Sequence, residues 1–173
     1  MKKWISLSII AVSILVLILS MIGDCLAKYV IERDITAYLY RAQVASSAED
    51  MNRFLLKLKT NMEFYGMTEG YTVLIFQTPN NDMGEIYLAV VRSQERIGEL
   101  LTLDTSTETG KLTYDTRLDD VRGTLRELEI PALSFWWIHN FLGWLMIIGT
   151  LISSIVGLVG LVALVFLALT NFP

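Results

Sequence analysis

The sequence predicts a mainly α membrane protein, in which two transmembrane helices flank a helical domain held outside the bilayer. Three observations carry that prediction. Of the 173 residues, 53% are hydrophobic and 18% are charged, where an ordinary soluble domain has roughly a quarter of its residues charged. The apolar residues are concentrated at the two ends and the charges between them. The middle carries apolar residues at steps of three and four, the period of a helix that buries one face. A single cysteine, Cys25, excludes a disulfide-stapled secreted module, and the apolar composition excludes a disordered chain. The predicted organisation is an N-terminal transmembrane helix over residues 1–27 and an extramembrane helical domain over 28–131. An aromatic belt with the C-terminal transmembrane helix follows over 132–173.

The first span reads WISLSIIAVSILVLILSMI over residues 4–22, 19 residues without a charge. Crossing the hydrocarbon takes about 20. Lys2 and Lys3 precede it and Asp24 closes it. A secretory signal cleaved after Ala27 would share the basic start, but its apolar core is shorter, about 7–15 residues. Lipidation of Cys25 is disfavoured because Asp24 stands where a lipobox needs a small residue. The second span, 141–169, also lacks any charge. It exceeds one crossing, which predicts tilt or a protruding end. A hairpin turning at Gly157 and Gly160 would leave backbone groups unpaired in lipid.

Two rows of small residues mark candidate helix-packing faces. Ser6, Ser13, Ser20 and Ala27 recur every seven positions, and Gly149, Ser153 and Gly157 every four. Small side chains let helix backbones approach where apolar burial supplies no drive. Phe135, Trp136, Trp137, His139 and Trp144 gather before and at the start of the second span and are read as interface anchors, since aromatics with one polar edge favour the headgroup layer. His139 is read with them, in preference to a pigment ligand.

Orientation follows from the short N-terminal tail. The segment between the spans holds 12 Lys and Arg against 17 Asp and Glu, a net charge of −5. It is longer than the roughly 60 residues within which loop charge steers insertion. The basic tail then decides, and places both termini in the cytoplasm and the polar domain outside a cell (inner) membrane.

Within the domain, residues 29–65 contain no Gly or Pro and predict one helix continuous with the first span. Apolar or small residues fall at Ile31, Ile35, Tyr38, Ala42, Ala45 and Ala48, then at Met51, Leu55, Leu58, Met62 and Tyr65. The pattern is close to a coiled-coil seam and is overwound around 45–51. At about 1.5 Å per residue the helix would reach roughly 55 Å. Gly66 ends it. Residues 71–76 (YTVLIF) suit an extended segment. Asp82 opens a second helix running to about Leu103. Residues 104–111 (DTSTETGK) read as a polar loop, and Thr116 with Asp119 as the start of a third helix, which Pro131 ends. A chain that leaves a membrane and returns must make an even number of passes, so the extended segment is assigned the fourth. The layout resembles that of bacterial chemoreceptor-like sensor ectodomains in arrangement alone. About 100 residues with a thin apolar core predict marginal stability for residues 28–131 when excised.

Chemistry is sparse. One histidine and one cysteine exclude a Cys₄ or Cys₂His₂ site. The carboxylate pairs Glu49/Asp50 and Asp119/Asp120 are adjacent in sequence, so on a helix they diverge by about 100° and do not converge on one atom. No phosphate loop, nucleophile elbow or zinc-protease motif occurs. The acidic middle disfavours nucleic acid. Asp24 is read as the end of the span, and Met51, Met62, Met67 and Met83 as core. No cofactor and no metal are expected, and no catalytic residue is assigned. Only residues 170–173 follow the second span, so any signal is expected to pass sideways to a partner in the membrane.

The function expected is that of a non-catalytic accessory or scaffold subunit of a larger integral membrane complex. It would pack through its small-residue faces and its heptad-like helix. A ligand-binding sensor ectodomain and a self-assembling membrane-anchored structural protein are the alternatives. The expected partners are the lipid bilayer and other membrane subunits or further copies of the chain.

Overall fold

A computed structural model describes residues 2–169 and, within them, every side chain except those of Lys2, Lys3, Ser6 and Leu167. Every regular element described is helical. Helix α1 spans Lys2–Ile31, passes without a break into a π-helical turn, Glu32–Thr36, and continues as α2, Ala37–Gln43. Then come α3 (Ala48–Phe64), a 3₁₀ turn (Pro79–Asn81), α4 (Met83–Leu100), α5 (Glu108–Glu127), α6 (Ala132–His139) and α7 (Phe141–Leu169). Contacts divide the chain into two compact units, Met1–Lys28 with His139–Pro173, and Tyr29–Ile138.

In the second unit the helix predicted to run through residues 29–65 is broken. The chain turns at residues 44–47, and α3 runs back along α2 and the π turn. Ser47 explains the restart. Its backbone is extended (φ −127°, ψ 158°) and its hydroxyl accepts from the Asp50 amide at 3.2 Å, a favoured N-cap. Glu49 and Asp50 fill the first turn, where carboxylates complement the helix dipole. Two further backbone groups of the corner are taken up by α5, and the Gln43 side chain adds a bond to it. The Arg122 guanidinium donates twice to the Ala45 carbonyl, at 2.6 and 3.0 Å. The Ala48 amide donates to the Tyr114 hydroxyl at 3.0 Å, and Gln43 donates to the Leu125 carbonyl at 2.7 Å.

The far end of α3 is locked in the opposite direction. The Asn61 amide donates to the Asp34 carbonyl at 2.6 Å, and the Tyr65 hydroxyl to the Asp34 carboxylate at 2.7 Å. Arg33 grips the same carboxylate at 2.6 and 2.8 Å. The adjacent Arg33, followed by the Tyr65 hydroxyl, holds the Asp34 carboxyl below its ordinary 3.8. Burial, with the Asp34 hydrogen bond next, pushes Tyr65 up to about 12. Gly66 ends α3 as the sequence predicts, at φ +68°. The Met67 amide reaches the Met62 carbonyl at 2.8 Å and the Gly66 amide reaches Glu63 at 3.1 Å, the paired bonds that close a helix over a left-handed residue.

The predicted extended pass over 71–76 is absent. That segment is an irregular loop whose one ladder contact is an isolated bridge between Tyr71 and Asp82. Apolar, β-branched residues make a strand only against a neighbouring strand, and the described residues offer none. The even number of passes is met by α2, α3, α4 and α5, each packed on the next, with α5 closing on α2. Asp82 caps α4 through the Gly84 amide at 2.8 Å. Helix α5 begins well before the predicted Thr116. Thr107 is its cap, accepting from the Gly110 amide at 3.0 Å, while Thr116 is interior. Gly110 is required there: a Cβ would stand 2.1 Å from the Asp104 carbonyl oxygen. The stretch DTSTETGK, read as loop, supplies the first turn of a helix with a solvated face.

One core fills this unit. Leu39, Met51, Leu55, Leu58, Met62, Met83, Val90, Ile97, Val121 and Leu125 are buried in it together with Ala132 and Phe135 of α6. Full burial of such side chains contributes roughly 1.5–3 kcal/mol each. A fragment ending at residue 131 lacks the α6 share. Residues 29–138 are therefore expected to unfold at least about 3 kcal/mol less readily than residues 28–131, compared by urea denaturation.

The depressed Asp34 pKa also fixes a pH dependence. The stability it contributes is present above about 3.8 and lost as pH falls through the lower folded-state value. Asp34→Asn should be less stable than the parent at pH 6, and the difference should shrink towards pH 3, as read by the denaturant midpoint.

Candidate functional site

In the unit formed by Met1–Lys28 and His139–Pro173, α1 and α7 meet along a seam of small residues. Ser13 and Ser153 are buried, and the Ser153 hydroxyl donates to the Ser13 carbonyl at 2.8 Å. That carbonyl already belongs to a helix, so the bond ties the two backbones at one level without breaking either ladder. At Gly157 a Cβ would lie 3.3 Å from the Cβ of Ser13, closer than most side chains tolerate. At Gly23 it would lie 1.8 Å from the Met146 methyl, so the thioether of α7 fills the place that Gly23 leaves on α1.

The seam on α7 has a wider membership than the row of every fourth residue. Gly143, Ser153 and Gly160 are buried, with Met146, Thr150 and Gly157 half-buried between them. Those steps of three and four repeat every seven residues, the spacing of helices that supercoil on one another. The small-residue rows leave out Gly23, Gly143, Met146 and Gly160, the last of which the sequence marks only as a turn candidate. On α7 the signal for Gly143 and Gly160 is this sevenfold spacing. Gly149 is off the seam, with open space where a Cβ would be. On α1, Ser20 and Ala27 are half-buried, and the Ser6 side chain lies outside the described residues.

The aromatic residues divide between the two units. Phe135 is buried in the helical core, Trp136 packs against it half-buried, and Trp137 meets Trp136 edge-on with centroids 5.3 Å apart. His139 is exposed and Trp144 is 39% exposed; both belong to the other unit. Among the described residues no group of three or more His, Cys, Asp or Glu could hold a metal ion.

Most of α1 and α7 lies off the seam. Both helices are long and apolar enough to cross a membrane, and of the most apolar 18 residues of each, 6% and 11% are buried. Comparison with protein-family models, curated proteins and solved structures finds no match to this chain.

The seam makes its own test. Ser153→Ala, which removes one interhelical hydrogen bond, should weaken the α1–α7 pair by about 0.6 kcal/mol. Gly157→Leu, which forces the backbones apart, should cost more, about 1–3 kcal/mol. Unfolding in mixed micelles titrated with SDS reads both.

Proposed function

We propose that the chain is a two-span membrane protein that serves as a non-catalytic accessory or scaffold subunit of a larger membrane complex. The observation that supports this most is the surface left over by the α1–α7 pair. The seam occupies one narrow face of each helix, and large apolar side chains such as Leu15, Leu19, Leu151, Ile155 and Val159 stay exposed. Such a surface needs lipid or further helices around it. Gly149 adds a reason to expect helices as well as lipid, because an open glycine on a lipid-facing helix is a point of close backbone approach.

The basic Lys2 and Lys3, which lie outside the described side chains, favour a cytoplasmic N-terminus by the positive-inside rule. On that topology both termini are inside and the Tyr29–Ile138 unit is outside an inner, or cell, membrane. A ligand-sensing ectodomain is the second reading. It is favoured by an open cavity of about 380 Å³ beside Thr36, Leu39 and Gln43, with Arg126 and Glu129 in its lining, within the size range of small-molecule sites.

Extraction of the native membrane in mild detergent, followed by native-gel separation and mass spectrometry, tests the proposal. A large band with the same partner proteins in each preparation is expected. A band holding this chain alone would overturn the subunit reading in favour of self-assembly or sensing.

A further inference from the structure

The loop between α3 and α4 exposes three consecutive large apolar side chains. Leu74, Ile75 and Phe76 are 60%, 70% and 87% exposed. They sit within twelve residues, 70–81, that contain no charge and are bounded by Glu69 and Asp82. Elsewhere on this unit the exposed large apolar residues, such as Tyr40, Val44, Leu56 and Leu112, are not consecutive in sequence, which is ordinary for a protein surface.

The loop is built to hold them out. Phe76 has φ +63°, a conformation that is strained for a phenylalanine. The Asn81 side chain fixes it, donating to the Phe76 carbonyl at 3.1 Å and accepting from the Thr78 amide at 2.9 Å. Below the tip, the Thr72 amide bonds the Asn81 carbonyl at 2.9 Å and the Met83 amide bonds Gly70 at 2.7 Å. Thr72 is buried. Nothing in the packing of the unit rewards this strain, because the side chain it positions touches mainly solvent.

The place of the loop in the unit says what should cover it. It joins the end of α3 to the start of α4, at the end where Asn61 and Tyr65 bind Asp34. The chain comes into the unit at Tyr29, five residues before Asp34, directly from the apolar helix α1. The last of the four packed helices, α5, leads into residues 128–131, which lie beside Thr36 and Leu39, at the same end as Asp34. The loop therefore lies at the end of the unit at which the chain enters from the apolar helix α1.

We infer that this loop is a third membrane contact, in which Leu74, Ile75 and Phe76 insert into the headgroup region of the same bilayer that α1 and α7 cross. The inference rests on the two-span reading above. The absence of charge over residues 70–81 makes the contact apolar rather than electrostatic, so it is insensitive to salt and does not require anionic lipid.

The full chain, reconstituted in phosphatidylcholine bilayers, gives the test. In a Cys25→Ser background, an environment-sensitive fluorophore is attached at Gln77→Cys beside the tip. The same label is placed at Leu112→Cys in the first turns of α5 and at Ile14→Cys in the first apolar helix. Bilayers carry lipids brominated either near the headgroup or deep in the chain. Iodide serves as the aqueous quencher, with and without 0.5 M potassium chloride, about five times the ionic strength at which the Debye length is already about 10 Å.

The label at Gln77 is expected to be quenched by shallow bromines and shielded from iodide at both salt concentrations. The triple change Leu74→Ser, Ile75→Ser, Phe76→Ser should reverse both effects. The label at Leu112 should show the opposite pattern, and that at Ile14 should respond to deep bromines. If Gln77 is as open to iodide as Leu112 while Ile14 is quenched by deep bromines, the loop contact is wrong and the spans stand. Shielding of Gln77 from iodide without quenching by either lipid means that protein covers the tip, which also overturns the inference. An Ile14 label that no brominated lipid quenches removes the spanning reading, and the loop contact with it.

Discussion

The helical unit depends on the corner at residues 44–47. The chain enters this unit at Tyr29, and the end of α5 lies beside Thr36 and Leu39 of the same helix, so α2 to α5 reverse direction an odd number of times. The corner supplies the first reversal without a glycine or a proline. A break in a helix strands carbonyls and amides on either side of it, each costing roughly 1–3 kcal/mol if buried unpaired. Here the Ala45 carbonyl is claimed by Arg122, 77 positions later, and the Ala48 amide by Tyr114, 66 positions later, while the Gln43 side chain returns a bond to the Leu125 carbonyl of α5. The turn between the first two helices thus draws part of its hydrogen bonding from the last helix of the bundle.

That dependence also separates what the sequence discloses from what it withholds. The apolar ends, the glycine that closes α3, the aspartate that opens α4 and the inward positions Met51, Leu55 and Leu58 are written in a few adjacent residues each. They follow from local rules. The corner is written half in Ser47 and half in α5, and only the first half has a local signature. The overwound spacing around Ala45–Met51 was its trace, visible as an irregularity but not as a break. The start of α5 was concealed by composition. A polar stretch with a glycine has the look of a loop, yet Gly110 is there because the Asp104 carbonyl comes close. The strand-like YTVLIF was misleading in the opposite sense, since strand propensity describes fit to a sheet that this fold does not contain.

The packing rows show the same division. Ser13, Ser153 and Gly157 come together in the α1–α7 seam, because small residues at helical spacing have few other uses in an apolar helix. Gly23 and Met146 are legible only as a pair. A glycine on one helix makes room for a methionine on the other, and neither has meaning alone. By type Phe135 belongs with its aromatic neighbours, whereas its burial comes from its place in the helical core. Methionine recurs in that core at Met51, Met62, Met67 and Met83. A flexible, unbranched side chain fits the irregular gaps where a loop and four helices converge.

The π turn at Glu32–Thr36 has a consequence for the order of residues along the first helix. The row Ser13, Ser20, Ala27, continued by sevens, arrives at Asp34 and Arg41, two charged residues. The residues that are buried are Ile35 and Ala42, one place later in each case. A π turn closes over one more residue than an α turn, so it absorbs that extra position and lets the sevenfold row resume. The turn is a one-residue frameshift carried inside a helix that never breaks. The residue that falls out of frame is Asp34, whose carbonyl and carboxylate then become the anchor that Asn61 and Tyr65 hold.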